Sequence, residues 1–193
     1  MTRRKQIWWR PWPLVPAKII LDTPVAFKLA AEAWLSCMET LERAAILVGI
    51  GGRSCFRVTN IISHDFLDTN GVIVERGMLK IKNDSAPVNA IRWDESKLLL
   101  LVTQGMVRDN EQIIFVHTHP VTFLVEIYPS PQDILNSLVG KRAELVCGYI
   151  QKHSQRRGFL AIGYLGTRTI PVFVNGRLLL EDMWTYLKQN AKT

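Results

Sequence analysis

Apolar residues recur along the chain in two patterns, one typical of β-strands and the other of α-helices. Short, nearly continuous apolar runs predict strands, and turn-forming pairs such as Gly51-Gly52 and Asn175-Gly176 mark where they stop. The predicted strands cover residues 14–21, 44–50, 55–62, 90–93, 113–116, 145–150, 159–164 and 170–174.

Helices are predicted between these strands. Asp22-Thr23-Pro24 places a polar cap residue and a proline before apolar residues at helical spacing, which is a common helix start. Further helices are predicted from residue 94 onward, over 131–139 and over 181–187, whereas residues 64–77 are polar and turn-rich. The alternation of strands and helices predicts an α/β fold, a single-domain mixed β-sheet flanked by helices.

Composition agrees with a folded domain. A chain of 193 residues with 48% hydrophobic content can bury one substantial core. No apolar stretch approaches the roughly 20 residues that span a bilayer, and residues 1–16 lack the apolar segment of a secretion signal. Cys37, Cys55 and Cys147 are odd in number and widely spaced, which indicates a reduced compartment. We therefore expect a cytoplasmic protein that makes no membrane contact.

The net charge of +7 is concentrated at the N-terminus, where four basic residues and no acidic residue occupy the first ten positions. We treat residues 1–13 as a basic, tryptophan-rich arm and residues 14–193 as the folded domain. With Trp8, Trp9 and Trp12, the arm can bind nucleic acid or an acidic protein through charge and stacking. The alternative is commoner for basic tails: the tryptophans pack on the domain or on a second subunit while the charges stay hydrated.

The first candidate metal ligands follow a predicted buried strand, in His117-Thr118-His119-Pro120. Residues two apart on a strand face the same way, about 6.6 Å apart along the chain, so two imidazoles can reach one ion. Thr118 faces the opposite way, and Pro120 ends the strand because it cannot donate a ladder hydrogen bond. Ordinary hydrogen bonds can also satisfy such a histidine pair, so the pair alone does not define a site.

A carboxylate follows in Ser130-Pro131-Gln132-Asp133. A serine cap, a proline and an acid in the first turn make a good helix start, and that explanation suffices for this segment alone. The helix start also holds the Asp133 carboxylate in a fixed orientation, where it can fold back over the histidines. Two imidazoles and one carboxylate leave a fourth position open, as in catalytic zinc sites, although iron or manganese can use the same donors.

Together with Glu42, these motifs resemble the JAB/MPN/JAMM metalloprotease family, whose pattern is an upstream glutamate followed by H-[ST]-H-x7-S-x-x-D. Residues 42–49 are similar to the family's E-x-x-G-x-L-x-G at the glutamate, the leucine and the final glycine, with alanine at the first glycine. Ten residues separate His119 from Ser130 where the family usually has seven. The resemblance extends in element order from residue 14 to the C-terminus.

The resemblance implies a fold and a chemistry. The fold is the JAB/MPN sandwich, which is similar to that of cytidine deaminase. His117, His119 and Asp133 are implied to hold one Zn2+ ion. Glu42 is implied to act as the general base and then as the general acid, and the Ser130 hydroxyl to steady the oxyanion.

The implied activity is that of a zinc-dependent isopeptidase or peptidase cleaving after the C-terminal tail of a ubiquitin-like protein, in deconjugation or in precursor processing. The chain looks like the bacterial branch, whose members are deubiquitinase-like enzymes found in operons with ubiquitin-like, E1-like and E2-like proteins, several in anti-phage defence. Processing of a sulfur-carrier protein is a second possibility. Two other classes stay open. One is a RadC-like, nucleic-acid-associated relative, and the other is a non-catalytic MPN scaffold.

The segment between the histidines and Ser130 is unusually apolar for a surface connection. One hypothesis is that it forms a wall of the substrate groove, or covers the site until a partner displaces it, with Phe123, Leu124 and Tyr128 as substrate contacts. The alternative is that it packs into the core or a dimer contact. His64 and His153 lie in polar, turn-like surroundings, where we expect solvated side chains with no role.

Overall fold

A nine-stranded mixed sheet forms the centre of the computed structural model, which describes residues 15–75, 91–120, 127–150 and 158–179. Its strands in chain order are β1 (Ile19–Leu21), β2 (Ala44–Gly51), β3 (Phe56–Ile62), β6 (Gln112–Thr118), β7 (Glu144–Ile150), β8 (Gly158–Leu165), β9 (Arg168–Ile170), β10 (Val172–Val174) and β11 (Arg177–Leu178). Two further strands, β4 (Ile73–Glu75) and β5 (Arg92–Trp93), form a separate antiparallel pair.

In space the large sheet runs β11-β10-β1-β3-β2-β6-β7-β8-β9. β1 is parallel to both of its neighbours and β6 is parallel to β7, while the remaining pairs are antiparallel. The sheet is therefore mixed, as the sequence predicted. The central position of β6 buries the strand that carries the candidate histidines.

Four α-helices lie in the described part of the chain: α1 (Thr23–Glu39), α2 (His64–Thr69), α3 (Leu98–Thr103) and α4 (Pro131–Gly140). The predicted start of α1 is confirmed, because the Asp22 side chain accepts a hydrogen bond from the Val25 amide at 2.9 Å and proline occupies the first turn. No helix in the described ranges combines the length and the hydropathy that a bilayer crossing requires.

Alternating side chains of the central strands pack on opposite faces of the sheet. Leu47 of β2 and Val116 of β6 join the core under α1. The intervening residues Ile46 and Phe115 belong to a second core, under α2 and α3. Because His117 follows Phe115 by two residues, its side chain lies on this second face, to which α4 adds its first turn.

The predicted strand over 170–174 is confirmed over Val172–Val174, but it is not continuous, because the chain divides at Pro171 into β9 and β10. Proline cannot donate to a ladder, and at this residue the chain leaves one edge of the sheet, beside β8, and joins the other, beside β1. The sheet curls enough to bring these edges together. A Cβ on Gly163 of β8 would lie 2.8 Å from Ile19 Cδ1 of β1 and 3.1 Å from Ile170 Cβ of β9, so residues of both edges lie close to this glycine.

Residues 64–77 were expected to be only turn-rich, and the structure corrects this expectation with α2 and β4. Leu67, Val72 and Ile73 are buried against β2. These three apolar residues are too few to produce the sequence periodicity by which a helix or a strand is predicted. His64 is a second correction. It is 1% exposed, not solvated, and its Nδ1 accepts a hydrogen bond from the Ala44 amide at 3.0 Å.

Several expectations fall outside the described residues. These are the arm over 1–13, the side chains of Phe123, Leu124 and His153, and the helix over 181–187.

Candidate metal centre

The two histidines end the central strand β6. His117 lies opposite Ala44 of β2 on one side and Val146 of β7 on the other. His119 extends the ladder by one step, because its amide donates to the Cys147 carbonyl at 2.8 Å. The strand pairing thus fixes the backbone of both residues, and their imidazoles lie on the same face, as the sequence predicted.

Asp133 reaches the histidines from the first turn of α4. Ser130 caps this helix: its Oγ accepts a hydrogen bond from the Asp133 amide at 3.2 Å. In return, the backbone amide and the hydroxyl of Ser130 donate to Asp133 Oδ2 at 2.8 and 2.7 Å. This reciprocal capping box orients the carboxylate of Asp133, a residue that is 5% exposed.

The three side chains converge on one point. The Nε2 atoms of His117 and His119 are 3.1 Å apart. Asp133 Oδ1 is 3.4 Å from His117 Nε2, and Asp133 Oδ2 is 3.5 Å from His119 Nε2. Donor atoms bound tetrahedrally to zinc at about 2.0–2.1 Å are about 3.3–3.4 Å from one another. The donor atoms and their spacing therefore fit a single metal ion.

Electrostatic attraction between the imidazoles and the Asp133 carboxylate favours this arrangement. Burial lowers the pKa of His117, but hydrogen bonding and charge from Asp133 outweigh it and raise the pKa to about 9. Burial raises the pKa of Asp133, but hydrogen bonds and charge from both imidazoles outweigh it and hold the pKa well below its usual range. Asp133 is consequently ionised at neutral pH, as an anionic ligand must be.

Glu42 lies beside these residues. Ala44 is opposite His117 in an antiparallel pair, so Glu42, two residues earlier, is carried to the same face as the imidazoles. Its Oε2 is buried and has no hydrogen-bond partner among the described residues. Burial raises the pKa of Glu42, partly offset by the charges of His117 and His119. A buried polar atom without a partner costs on the order of 1–3 kcal/mol, which indicates a place for an additional donor.

A second set of polar side chains lies behind His117, and the sequence analysis missed it. The Tyr164 hydroxyl donates to Glu144 Oε2 at 3.1 Å, and Arg142 Nε donates to Glu144 Oε1 at 2.9 Å. The Tyr164 ring stands edge-on to the His117 ring, with 6.4 Å between centroids. The one available sequence clue was an acid at the start of an otherwise apolar strand.

Tyr128, predicted to contact substrate, is 3% exposed and packs with Val146, Ile162 and Tyr164. Tyr128 therefore packs in the core, as the alternative hypothesis expected. A contact between Tyr128 and substrate stays a prediction.

Neither a protein-family model nor a curated protein matches the chain. Among solved structures, the chain is similar to the solution structure of protein DSY2949 from Desulfitobacterium hafniense, with a TM-score of 0.50 and 14% sequence identity. The similarity covers 83% of this chain and 94% of that one. At this level of identity the likeness concerns the fold alone, and it agrees with the mixed α/β arrangement described above.

Proposed function

We propose that this protein is a zinc-dependent isopeptidase or peptidase that cleaves after the C-terminal tail of a ubiquitin-like protein. One observation carries the proposal: three donor atoms at the spacing of zinc ligands lie next to a buried carboxylate oxygen that has no partner among the described residues. Three protein ligands leave a fourth position open, which is the arrangement of a catalytic zinc site rather than a structural one.

His117, His119 and Asp133 would hold the zinc ion. When bound, it supplies a Lewis acid that polarises the scissile carbonyl and makes a water molecule more acidic. Glu42 Oε2 accepts the proton of the attacking water and later delivers it to the leaving amine nitrogen. The raised pKa of Glu42 suits both roles, because a carboxyl group with a pKa closer to neutral pH can both take up and release a proton.

The Ser130 hydroxyl has two roles in this proposal, orienting Asp133 and steadying the oxyanion. In the structure this hydroxyl donates to Asp133 Oδ2, so it orients a ligand. Steadying an oxyanion requires the hydroxyl to rotate toward the substrate. The Ser130 backbone amide donates to the same oxygen at 2.8 Å, so the carboxylate keeps one bond during that rotation.

The substrate class comes from the resemblance to JAB/MPN/JAMM enzymes, and the mixed α/β fold is compatible with their sandwich. On the same basis we propose cytoplasmic ubiquitin-like, E1-like and E2-like partners and a place in bacterial antiviral defence. A non-catalytic scaffold is the weaker alternative because all five residues of the pattern are present. A RadC-like function depends on the arm, which lies outside the described residues.

The test measures metal content by mass spectrometry and the cleavage of ubiquitin-like fusion proteins. We expect about one zinc ion per chain, cleavage that stops on chelation and returns with zinc, and turnover reduced by at least about 100-fold in Glu42→Gln. A chain that binds no metal contradicts the proposal. A metal-loaded chain that cleaves no fusion from a broad panel would favour the scaffold.

A further inference from the structure

The backbone on both sides of Glu42 is anchored by hydrogen bonds that are buried or partly buried. On the N-terminal side, the Ser36 hydroxyl donates to the Leu41 carbonyl at 2.6 Å. On the C-terminal side, the Arg43 amide donates to Thr118 Oγ1 at 2.8 Å, and the Thr118 amide donates to the Arg43 carbonyl at 2.9 Å. Glu42 is therefore held through its neighbours, while its own Oε2 has no hydrogen-bond partner in the described residues.

Thr118 lies between His117 and His119 and points to the opposite face of the strand. Its two hydrogen bonds with Arg43 form a direct link between the segment of Glu42 and the segment of both imidazoles. If the hydrogen bonds between Thr118 and Arg43 are altered, the distance from the Glu42 carboxylate to the two imidazoles changes, although all three side chains are still present.

The Arg43 side chain fixes the same link to the helices. The side chain is 4% exposed, and its guanidinium donates to Glu32 and Glu39 of α1 at 2.7 and 3.0 Å and to Asp65 of α2 at 2.5 Å. Burial lowers the pKa of Arg43, but hydrogen bonds and charge from Glu32 and Asp65 outweigh it, so the side chain is a fixed cation. Two helices on opposite faces of the sheet thus hold one residue next to the base.

We propose that Thr118 and Arg43 are positioning residues, which set the placement of the Glu42 carboxylate relative to His117 and His119. This inference rests on the proposed function, in which Glu42 is the base. Neither residue touches the substrate or the metal ligands' donor atoms in this role, and both act through the backbone. Displacements near 1 Å at a distance from the reacting atoms can reduce turnover by about 100-fold.

The first experiment compares Thr118→Val, which keeps the side-chain shape and removes the hydroxyl, with Thr118→Ser, which keeps the hydroxyl. In the full chain loaded with zinc, we expect Thr118→Val to lower kcat for a ubiquitin-like fusion by about 10- to 100-fold. KM and zinc content should stay at the wild-type value, and Thr118→Ser should recover most of kcat. In a Glu42→Gln background, Thr118→Val should cause no further loss, because its effect passes through Glu42.

The second experiment measures position without turnover. The chain is loaded with cobalt(II), and the pseudocontact shift of the Glu42 carboxyl carbon is followed by NMR, with Glu42→Gln used for assignment. Thr118→Val should change this shift, and Thr118→Ser should reproduce the wild-type value. If Thr118→Val unfolds the protein, Arg43→Lys serves instead, since it keeps the charge and loses the multiple contacts.

The outcomes separate the two levels of the proposal. A wild-type chain that binds no cobalt, or that binds it and cleaves no fusion, overturns the proposed function and, with it, this inference. A wild-type chain that does both, together with a folded Thr118→Val variant of unchanged kcat and unchanged pseudocontact shift, overturns the positioning role alone.

Discussion

Ser130 binds the Asp133 carboxylate twice, through its backbone amide and through its hydroxyl, and both bonds end on Oδ2. One residue therefore starts helix α4 and orients a candidate metal ligand. Partners of metal ligands usually affect metal affinity even though they do not touch the ion.

Ser130→Ala removes the hydroxyl and leaves the amide. We expect zinc affinity to fall by about 10-fold or more, and the free energy of unfolding of the metal-free protein to fall by about 1 kcal/mol through the lost cap. Chelator competition and denaturant unfolding measure the two effects. Ser130→Thr keeps the hydroxyl and is the control. Equal zinc affinity in Ser130→Ala and the wild type would contradict this role.

Glu42→Gln and His119→Ala should separate catalysis from metal binding. The glutamine keeps the size of Glu42 but cannot act as a base, so the variant should retain zinc and lose turnover by at least about 100-fold. His119→Ala and Asp133→Ala each remove a ligand and should lose both. Full turnover in Glu42→Gln would remove the residue from its proposed role.

The metal-free protein should become less stable as the pH rises. The folded-state pKa of His117 is about 9, above the ordinary 6.5, so its favourable contact with Asp133 is fully present below about pH 6.5. This contribution is lost as the pH rises through 9, by an amount on the order of 3 kcal/mol. Thermal unfolding between pH 6 and 10 with a chelator present measures it. His117→Gln should flatten the dependence, and a flat wild-type profile would contradict the coupling.

Gly49→Ala should destabilise the protein. A Cβ at Gly49 would overlap the Arg57 carbonyl oxygen and lie 2.8 Å from the end of the Phe56 ring, at the point where the register of β2 and β3 shifts. We expect a loss of about 1–3 kcal/mol in the free energy of unfolding. Gly52→Ala, where a Cβ has no heavy atom within 4 Å, is the matched control. Similar stability in both variants would contradict the packing argument.

The sequence predicted the parts of the site that depend on local geometry. The imidazoles of His117 and His119 share a face because strand side chains alternate, and Asp133 is oriented because Ser130 caps a helix. The glycine at 49, matched only as part of a motif, proves to be required by a close approach of backbone.

The parts that depend on distant contacts could not be predicted in this way. His64 appeared to be a surface residue because its neighbours in sequence are polar, yet Ala44, twenty residues away, binds it in the interior. The anchoring of Arg43 by Glu32 and Asp65 likewise joins three separated segments. Pro171 interrupts the strand predicted over 170–174, and its transfer of the chain between sheet edges depends on the curl of the whole sheet.

The outermost strands of the described sheet, β9 and β11, are three and two residues long, and each begins with an exposed arginine, Arg168 and Arg177. Short, positively charged edge strands offer few backbone groups with which a strand of another molecule can pair. The rims of the described sheet therefore disfavour edge-to-edge association between copies of the folded chain.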